Sequence, residues 1–305
     1  MMRWLMERVL GITRQRPFPR FARGSFLRSV ARQPNNRRSR SGGRAPVVLF
    51  VDYFVNFHAP QVAEAVIAVL EHHGHQVYVP PGQVVSGMTL LSVGDVQAAR
   101  RLAETNVREL VELAREGAPI VCPEPTAALC LKTEYPQLLD HPDVHVIADQ
   151  VVEVGQFLHH LHQQRKLRTD FQPLDLQVVY HMPCHLKALD VGTPLQDLLN
   201  LIPKLRIRRI ERGCSGMGGT FGWRSERFEE SLRIGAGLLD ELRRSHFDAA
   251  ASECGACRTQ MTQGTERPVV HPIELLAAAY GLRPNPVGPR KQARSDRADA
   301  PRRSV

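Results

Sequence analysis

The chain has 305 residues, of which 43% are apolar, and its formal net charge is +9. This is enough apolar material for one large or two medium domains, which excludes a mainly disordered protein. No run of about twenty apolar residues occurs, so the sequence predicts no membrane-spanning helix.

The positive charge belongs to the two ends of the chain. Residues 1–44 contain twelve Arg and one acidic residue, and residues 283–305 contain seven basic and two acidic residues. The stretch between them, 45–282, has 21 basic against 28 acidic residues. Because a nucleic-acid-binding domain is expected to carry a basic face on its fold, this distribution argues against nucleic acid as a partner.

We interpret residues 1–44 as a basic N-terminal segment and linker. Apolar residues between 4 and 10 are spaced as one face of a short helix, and 32–43 has the composition of a linker. A solvated basic tail is the simplest interpretation. A docking or membrane-surface helix and a transit peptide are the alternatives.

Residues 45–166 are predicted to alternate strands with helices. The predicted strands are 47–51, 76–79, 120–121 and 144–148, and the predicted helices are 59–73, 93–116 and 151–164. Such alternation is typical of βαβ units with a mostly parallel sheet. Cys122 and Cys130 lie here in apolar surroundings, and we interpret both as buried small hydrophobic residues rather than ligands.

A polar joint, 167–175, leads to a second half, 176–282, in which the same order of elements returns. Its predicted strands are 176–180, 205–210, 249–252 and 269–270, and its predicted helices are 194–201, 225–243, 254–263 and 272–281. The tail 283–305 is rich in Pro, Arg and Ser and is predicted to be disordered.

Four of the six cysteines follow predicted strands of the second half: Cys184, Cys214, Cys254 and Cys257. Because the carboxyl ends of the strands in an open α/β sheet face one crevice, these cysteines are predicted to converge. Four thiolates suit an iron–sulfur cluster or zinc. A redox dithiol at the Cys-x-x-Cys motif is a third possibility.

Four neighbours of these cysteines are candidates for tuning the site. Ser215 is interpreted as a spectator or hydrogen-bond donor, since oxygen is a harder ligand than thiolate. His181 and His185 flank Cys184 and could tune the site or move a proton. Gly216 lets the backbone approach closely. No Ser-His-Asp arrangement and no nucleotide-binding fingerprint is present, so no catalytic residue is assigned.

The two halves are related by an internal repeat. The sequence Val-Ser-Gly-Met at 85–88 matches Cys-Ser-Gly-Met at 214–217. Aligned there, Tyr53 falls opposite Cys184, and 124–127 falls opposite 254–257. The first copy has Tyr, Val and Ala where the second has cysteines, so we predict no metal site in it. The fold class is therefore α/β, with two tandem repeats of βα units and the cofactor at the strand ends of the second.

The motifs around the four cysteines, together with His-Pro-Ile-Glu-Leu-Leu at 271–276, resemble the cysteine-rich CCG-domain family. This family includes a cysteine-rich component of heterodisulfide reductase and the iron–sulfur subunits of anaerobic glycerol-3-phosphate dehydrogenase and of lactate and glycolate oxidases. The resemblance covers about 47–282 and lacks the ferredoxin-like N-terminal half. The doubled cysteine of the family is Cys214-Ser215 here, which puts the family's non-cubane cluster in question and leaves a plain [4Fe-4S] cluster. Residues 10–21 also resemble the segment that precedes these domains in long flavin-linked oxidases, as expected if the chain is the end of such a protein.

This resemblance implies an electron-transfer subunit of a flavin-linked dehydrogenase that passes electrons toward a quinone or another carrier. The implied partners are a flavoprotein dehydrogenase subunit and a ferredoxin-like or membrane quinone-linked subunit. The implied location is the cytoplasm, with peripheral attachment to the inner face of the membrane as a variant. Two alternatives stay open: a zinc-stapled or metal-free scaffold of such a complex, and reduction of heterodisulfides or thiols at the cluster.

Overall fold

A computed structural model describes residues 2–33, 36 and 46–288. Most of the predicted linker and most of the predicted disordered tail lie outside these residues. The described residues form an α/β fold with two four-stranded sheets, and every strand pair in them is parallel. The predicted fold class is confirmed.

The first sheet has the strand order β2-β1-β3-β4. Its strands are β1 (Val47–Leu49), β2 (Val77–Tyr78), β3 (Ile120–Cys122) and β4 (Val151–Glu153). The helices that precede and accompany it are α1 (Met2–Leu10), α2 (Phe26–Val30), α3 (Tyr53–Phe57), α4 (Pro60–His72), α5 (Met88–Leu91), α6 (Val96–Arg115), α7 (Pro125–Leu129), α8 (Tyr135–Leu138), α9 (Pro142–Gln150) and α10 (Val154–Gln163). Its central strands β1 and β3 are fully buried, as expected for parallel strands covered by helices on both faces.

The second sheet has the order β6-β5-β7-β8, which is the order of the first sheet. Its strands are β5 (Gln177–Tyr180), β6 (Arg206–Arg209), β7 (Ala249–Ala251) and β8 (Val269–Val270). Its helices are α11 (Cys184–Ala188), α12 (Pro194–Leu199), α13 (Phe228–Arg244), α14 (Gly255–Gly264) and α15 (Pro272–Ala279). The shared strand order supports the internal repeat that the sequence indicates.

One predicted strand is wrong. Residues 144–148 lie in helix α9, and the strand predicted there is β4, which begins at Val151. The alternation of Val144 and Val146 with polar residues indicated a strand. The buried residues are instead Val144, Ile147 and Ala148, which is helical spacing, and Pro142 occupies the first turn after the capping His141. The same shift explains why the helix predicted from 151 begins only at 154.

The two halves share one apolar core. Helix α15 packs against α4, and α12 packs against α10, so the two halves meet through pairs of helices. A buried cluster runs across this junction and includes Leu70, Leu158, Leu195 and Leu276. The strand ends of the two sheets are therefore held in a defined relation to each other.

The N-terminal segment packs against this body, contrary to its interpretation as a solvated tail. Phe26, Leu27 and Val30 of α2 are buried in the shared core, and Arg16 has no exposed surface. In contrast, Trp4 and Val9 of α1 are 52% and 68% exposed. No helix among the described residues is long and apolar enough to cross a membrane.

Candidate metal centre

The four predicted ligands lie at the carboxyl-terminal edge of the second sheet. Cys184 is the first residue of α11 after β5, and Cys214 lies in the loop after β6. Cys254 precedes α14 as its N-cap, and Cys257 lies in the first turn of that helix. Cys184 and Cys214 are exposed, whereas Cys254 and Cys257 are buried. The site therefore has one open side.

The thiols influence one another's ionisation. Burial raises the pKa of Cys184, and the neighbouring Cys254 and Cys214 raise it further. A hydrogen bond from Cys257 lowers the pKa of Cys254 to about 6, while the same contact raises the pKa of Cys257 well above its ordinary value. The four cysteines thus form one electrostatically coupled group. In the described part of the chain, no three His, Cys, Asp or Glu side chains are arranged to hold a single metal ion.

Two donors point at the sulfur atoms. The Ser215 hydroxyl donates to Cys257 Sγ at 3.2 Å, and the Gly216 N–H donates to Cys214 Sγ at 3.3 Å. Hydrogen bonds of this kind stabilise negative charge on a thiolate or on a cluster that it holds. Ser215 thus makes the contact expected of a hydrogen-bond donor.

The loop that carries Cys214 lies against helix α13 through two glycines. Gly216 has φ +86°, and a Cβ there would meet the backbone carbonyl oxygen of Ser231. On the facing helix, a Cβ at Gly235 would meet the carbonyl oxygen of Ser215. A side chain at either position would push the loop away from the helix, so this close approach depends on glycine.

The two histidines beside Cys184 have different surroundings. His181 is buried, and its Nδ1 has no hydrogen-bond partner among the described residues. Burial lowers the pKa of His181 to about 4, so the ring is neutral at pH 7. His185 Nδ1 lies 2.8 Å from the hydroxyl oxygen of Thr126, a residue of the first half. His185 also helps to lower the pKa of Cys254. Of the two, only His185 favours a thiolate in the site.

Sequence reasoning missed two contacts that the first half makes with the second half. Glu124 Oε1 accepts a hydrogen bond from the N–H of Gly255 at 2.9 Å, and burial raises the pKa of this carboxyl to about 8. The Pro123 carbonyl oxygen lies 2.9 Å from His271 Nε2. The repeat alignment places 124–127 opposite 254–257. It was the signal that could have identified the contact between Glu124 and Gly255.

A buried acid in the second half was also missed. Glu253 is fully buried beside Cys254, and the Tyr180 hydroxyl donates to its Oε1 at 2.8 Å. Burial, together with the nearby Glu153, raises the pKa of Glu253 to about 8. Glu124 therefore accepts a hydrogen bond from a backbone amide, and Glu253 accepts one from a tyrosine hydroxyl.

Cys122 and Cys130 are buried in the first half, as predicted. Cys130 Sγ donates to the Ser86 carbonyl oxygen at 3.4 Å, and burial raises the pKa of both thiols well above the ordinary value. They pack as protonated, weakly polar side chains.

The four candidate ligands have the donor chemistry of an iron–sulfur site. It consists of four thiols at one sheet edge, with N–H and O–H donors directed at two of the sulfurs and glycine backbone alongside. Soft sulfur ligands suit iron–sulfur clusters and zinc, whereas hard cations require oxygen. The hydrogen bonds to sulfur are of the type that adjusts the reduction potential of a cluster.

Comparison with known proteins agrees with this chemistry. A family model described as "Cysteine-rich domain" (CCG) matches residues 178–262, a stretch that contains all four candidate ligands. The chain is 31% identical over 281 residues to one subunit of the anaerobic glycerol-3-phosphate dehydrogenase of Escherichia coli, an alignment that covers 91% of this chain and 69% of that protein.

Two archaeal proteins are also similar. One subunit of the fumarate reductase (CoM/CoB) of Methanothermobacter marburgensis is 28% identical over 84% of this chain and 49% of its own length. An iron–sulfur protein of Methanocaldococcus jannaschii is 26% identical over 72% of this chain and 42% of its own length. The chain thus spans about two thirds of the first relative and less than half of the other two.

The fold and the cysteine site define an α/β protein of the CCG cysteine-rich class. Within that class, the chain belongs to the family of iron–sulfur subunits that includes this Escherichia coli glycerol-3-phosphate dehydrogenase component.

Proposed function

We propose that this protein is an electron-transfer subunit that holds one iron–sulfur cluster and accepts electrons from a flavoprotein dehydrogenase. The observation that carries the proposal is the position of Cys184, Cys214, Cys254 and Cys257 at one sheet edge, within the stretch that matches the cysteine-rich domain. Four cysteine ligands are the set that a [4Fe-4S] cluster requires. When bound, such a cluster supplies one-electron transfer.

The chain's own residues would set the properties of that cluster. Ser215 and Gly216 donate hydrogen bonds to two of the sulfurs, which stabilises negative charge. Cys254 and Cys257 are buried and keep water away on one side, while Cys184 and Cys214 face the surface. An electron could therefore enter or leave on the open side without passing through the core.

Oxidation of an organic substrate is assigned to a partner. The sequence shows no nucleotide-binding fingerprint, so we assign the flavin to a separate flavoprotein domain or subunit. The similarity to a glycerol-3-phosphate dehydrogenase subunit supports a dehydrogenase of that kind as the electron donor. Lactate- and glycolate-oxidising enzymes are the other donors that the sequence motifs imply.

A cavity beside the Cys214 loop supports a small, planar electron acceptor such as a quinone. It has a volume of about 580 Å³ and lies between the two halves, in the size range of small-molecule sites. Its lining is largely apolar and aromatic and includes Phe18, Tyr53, Phe54 and Trp223. Gly219 and Thr220, which follow Cys214 in the same loop, form part of its wall.

The proposal is tested by reduction with the proposed donor. The anaerobically purified chain is mixed with the flavoprotein glycerol-3-phosphate dehydrogenase of its source organism, glycerol 3-phosphate is added, and visible absorbance is followed. Bleaching that requires both the flavoprotein and the substrate is expected, and a soluble quinone should restore the colour. A matched chain with Cys214→Ala should show no bleaching.

Two results would contradict the proposal. A colourless protein that contains zinc and no sulfide would leave the scaffold alternative standing. The second result is a brown protein that dithionite reduces, but that is not reduced by a flavoprotein with glycerol 3-phosphate, lactate or glycolate. This would show that the cluster does not accept electrons from such a dehydrogenase.

A further inference from the structure

The N-terminal segment places a fully buried arginine beside the candidate metal centre. Residues 11–13 run along the end of the Cys214 loop: the Thr13 N–H donates to the Trp223 carbonyl at 2.8 Å, and the Ser225 N–H donates to the Gly11 carbonyl at 2.7 Å. Arg16 follows this contact and has 0% exposure. Basic residues are rarely fully buried without a partner, so its contacts require a reason.

The Arg16 guanidinium connects two separate elements of the site. Its Nε donates to the Gly222 carbonyl oxygen at 2.9 Å, in the loop that begins at Cys214. Its Nη1 donates to the side-chain oxygens of Gln260 and Gln263 on α14, with a distance of 2.8 Å to Gln263. Helix α14 is the element that begins at the Cys254 cap and carries Cys257. One side chain thus joins the Cys214 loop to the Cys257 helix.

A further contact leads toward the ligands. Arg16 Nη2 donates to the Ser231 hydroxyl at 3.3 Å, and that hydroxyl donates to the Gly216 carbonyl oxygen at 2.7 Å. The Gly216 N–H in turn donates to Cys214 Sγ. Arg16 therefore supports the backbone that supplies a hydrogen bond to the sulfur.

Among the described residues, no acidic side chain is hydrogen-bonded to the Arg16 guanidinium. Within the described ranges, its partners are carbonyl, amide and hydroxyl oxygens and the rings of Phe228 and Trp223, with the guanidinium 5.3 Å and 5.8 Å from the ring centroids. Burial lowers the pKa of Arg16 to about 10, so it remains protonated at pH 7. A buried cation without a counter-ion is costly, and a nearby anion reduces that cost. A cluster held by four thiolates would supply such an anion, connected to Arg16 through the Ser231 hydroxyl and the Gly216 backbone.

We propose that Arg16 is a positioning residue of the metal centre: it fixes the Cys214 loop to the Cys257 helix, and its buried positive charge stabilises the reduced state of the bound cluster. This inference rests on the proposed function, because it concerns the cluster that the four cysteines would hold. It gives the N-terminal segment a role in the second half of the chain, more than 200 residues away.

The test compares Arg16→Gln, Arg16→Lys and Arg14→Gln in the full chain, purified anaerobically. Arg14 is a neighbouring arginine with a 59% exposed side chain and serves as the matched control. Three quantities are measured: the reduction potential by titration of the visible absorbance, the rate of iron release to a chelator, and folding by circular dichroism.

Arg16→Gln should lower the reduction potential, because the positive charge that favours the extra electron is lost. It should also release iron about tenfold faster or more, as is typical when a residue that supports metal ligands is removed. Arg16→Lys should restore the potential, since it keeps the charge, but should still release iron faster than the wild type because it lacks the guanidinium fork. Arg14→Gln should match the wild type in both quantities.

A folded Arg16→Gln chain with wild-type potential and wild-type iron release would overturn the inference. Should that variant not fold, Arg16→Lys decides: faster iron release supports the inference, and an unchanged rate overturns it. Failure of the proposed function is distinct, since it would be seen in a wild-type chain without iron and sulfide, before any variant is compared.

Discussion

Ser86 and Ser215 occupy equivalent places in the two halves, yet their hydroxyl groups have different partners. The Ser86 hydroxyl donates to Asp52 Oδ2 at 2.6 Å, whereas the Ser215 hydroxyl donates to Cys257 Sγ at 3.2 Å. The glycines that follow them adopt similar left-handed conformations, with φ +93° at Gly87 and +86° at Gly216. The two loops therefore have similar backbone conformations, but the serine hydroxyl donates to a carboxylate in the first half and to a cysteine sulfur in the second.

The first half, which lacks the four candidate ligands, makes direct contacts with the second half around the site. Glu124 accepts the Gly255 N–H, Thr126 contacts His185, and the Pro123 carbonyl contacts His271. A repeat without metal ligands thus contributes contacts to the site of the neighbouring repeat. Four predictions test how far this difference between the halves extends.

The largest expected difference is between cysteines of the two halves. Cys257→Ala should lose nearly all bound iron, because it removes a buried ligand. Cys130→Ala, a substitution of an equally buried cysteine in the first half, should retain the wild-type iron content. Iron and sulfide analysis of both variants measures this, and equal loss of iron from both would show that the first half also binds metal.

The two loop glycines should differ in their tolerance of a side chain. Gly87→Ala should cost about 1 kcal/mol of unfolding free energy, from the positive φ alone, since its Cβ would meet Ala99 at an ordinary 3.5 Å. Gly216→Ala adds a clash with the Ser231 carbonyl and should cost about 3 to 4 kcal/mol. Urea unfolding of the two metal-free variants gives the comparison. Equal costs would mean that the Cys214 loop is not held against α13.

In each half, the helix that follows the fourth strand has an N-cap residue, but the two N-cap residues differ in chemistry. Glu153 caps α10 through the Gln156 N–H, and His271 caps α15 through the Ile273 N–H. Burial raises the pKa of Glu153 from 4.5 to about 7. In the unfolded chain this carboxyl ionises near pH 4.5, whereas in the folded chain it ionises near pH 7. Relative to its value at high pH, the free energy of unfolding is therefore raised fully below about pH 4.5, and this gain is lost as the pH rises through about 7.

Glu153→Gln should therefore gain stability relative to the wild type as the pH rises, up to about 3 kcal/mol above pH 7. Thermal unfolding at pH 5 and pH 8 measures the gain, with Glu229→Gln at an exposed position as the control. An equal effect of Glu153→Gln at both pH values would show that Glu153 is ionised in the folded chain.

The smallest effect is expected from the two serines. Ser215→Ala removes one hydrogen bond to sulfur, worth about 1 kcal/mol, and should lower the reduction potential of the centre without loss of iron. Ser86→Ala should leave the potential unchanged, since its partner is Asp52 in the first half. Redox titration of the two variants distinguishes them, and the same potential for both would assign Ser215 no influence on the centre.

The parts of the fold that follow from local patterns were predictable. Each of the three cysteine-containing motifs follows a predicted strand, and strand ends of a parallel sheet meet at one edge, so their common location could be inferred. The match between 85–88 and 214–217 was enough to indicate the repeat. The predicted strand at 144–148 was wrong because short apolar alternation does not distinguish a strand from a helix.

Contacts between distant parts of the chain were not predictable. Arg16 is one of twelve arginines in residues 1–44, and nothing adjacent to it in the sequence sets it apart. Its partners Gly222 and Gln260 lie more than 200 residues away. Glu124 likewise reaches Gly255 only because the shared core holds the two sheet edges together.

We expect the second half to hold an iron–sulfur cluster and the first half to hold none. The content of iron, acid-labile sulfide and zinc per chain, after strictly anaerobic purification, tests this expectation. We predict about four irons and about four sulfides per chain, with no zinc. About eight irons would contradict a first half without metal, and one zinc without sulfide would contradict the cluster itself.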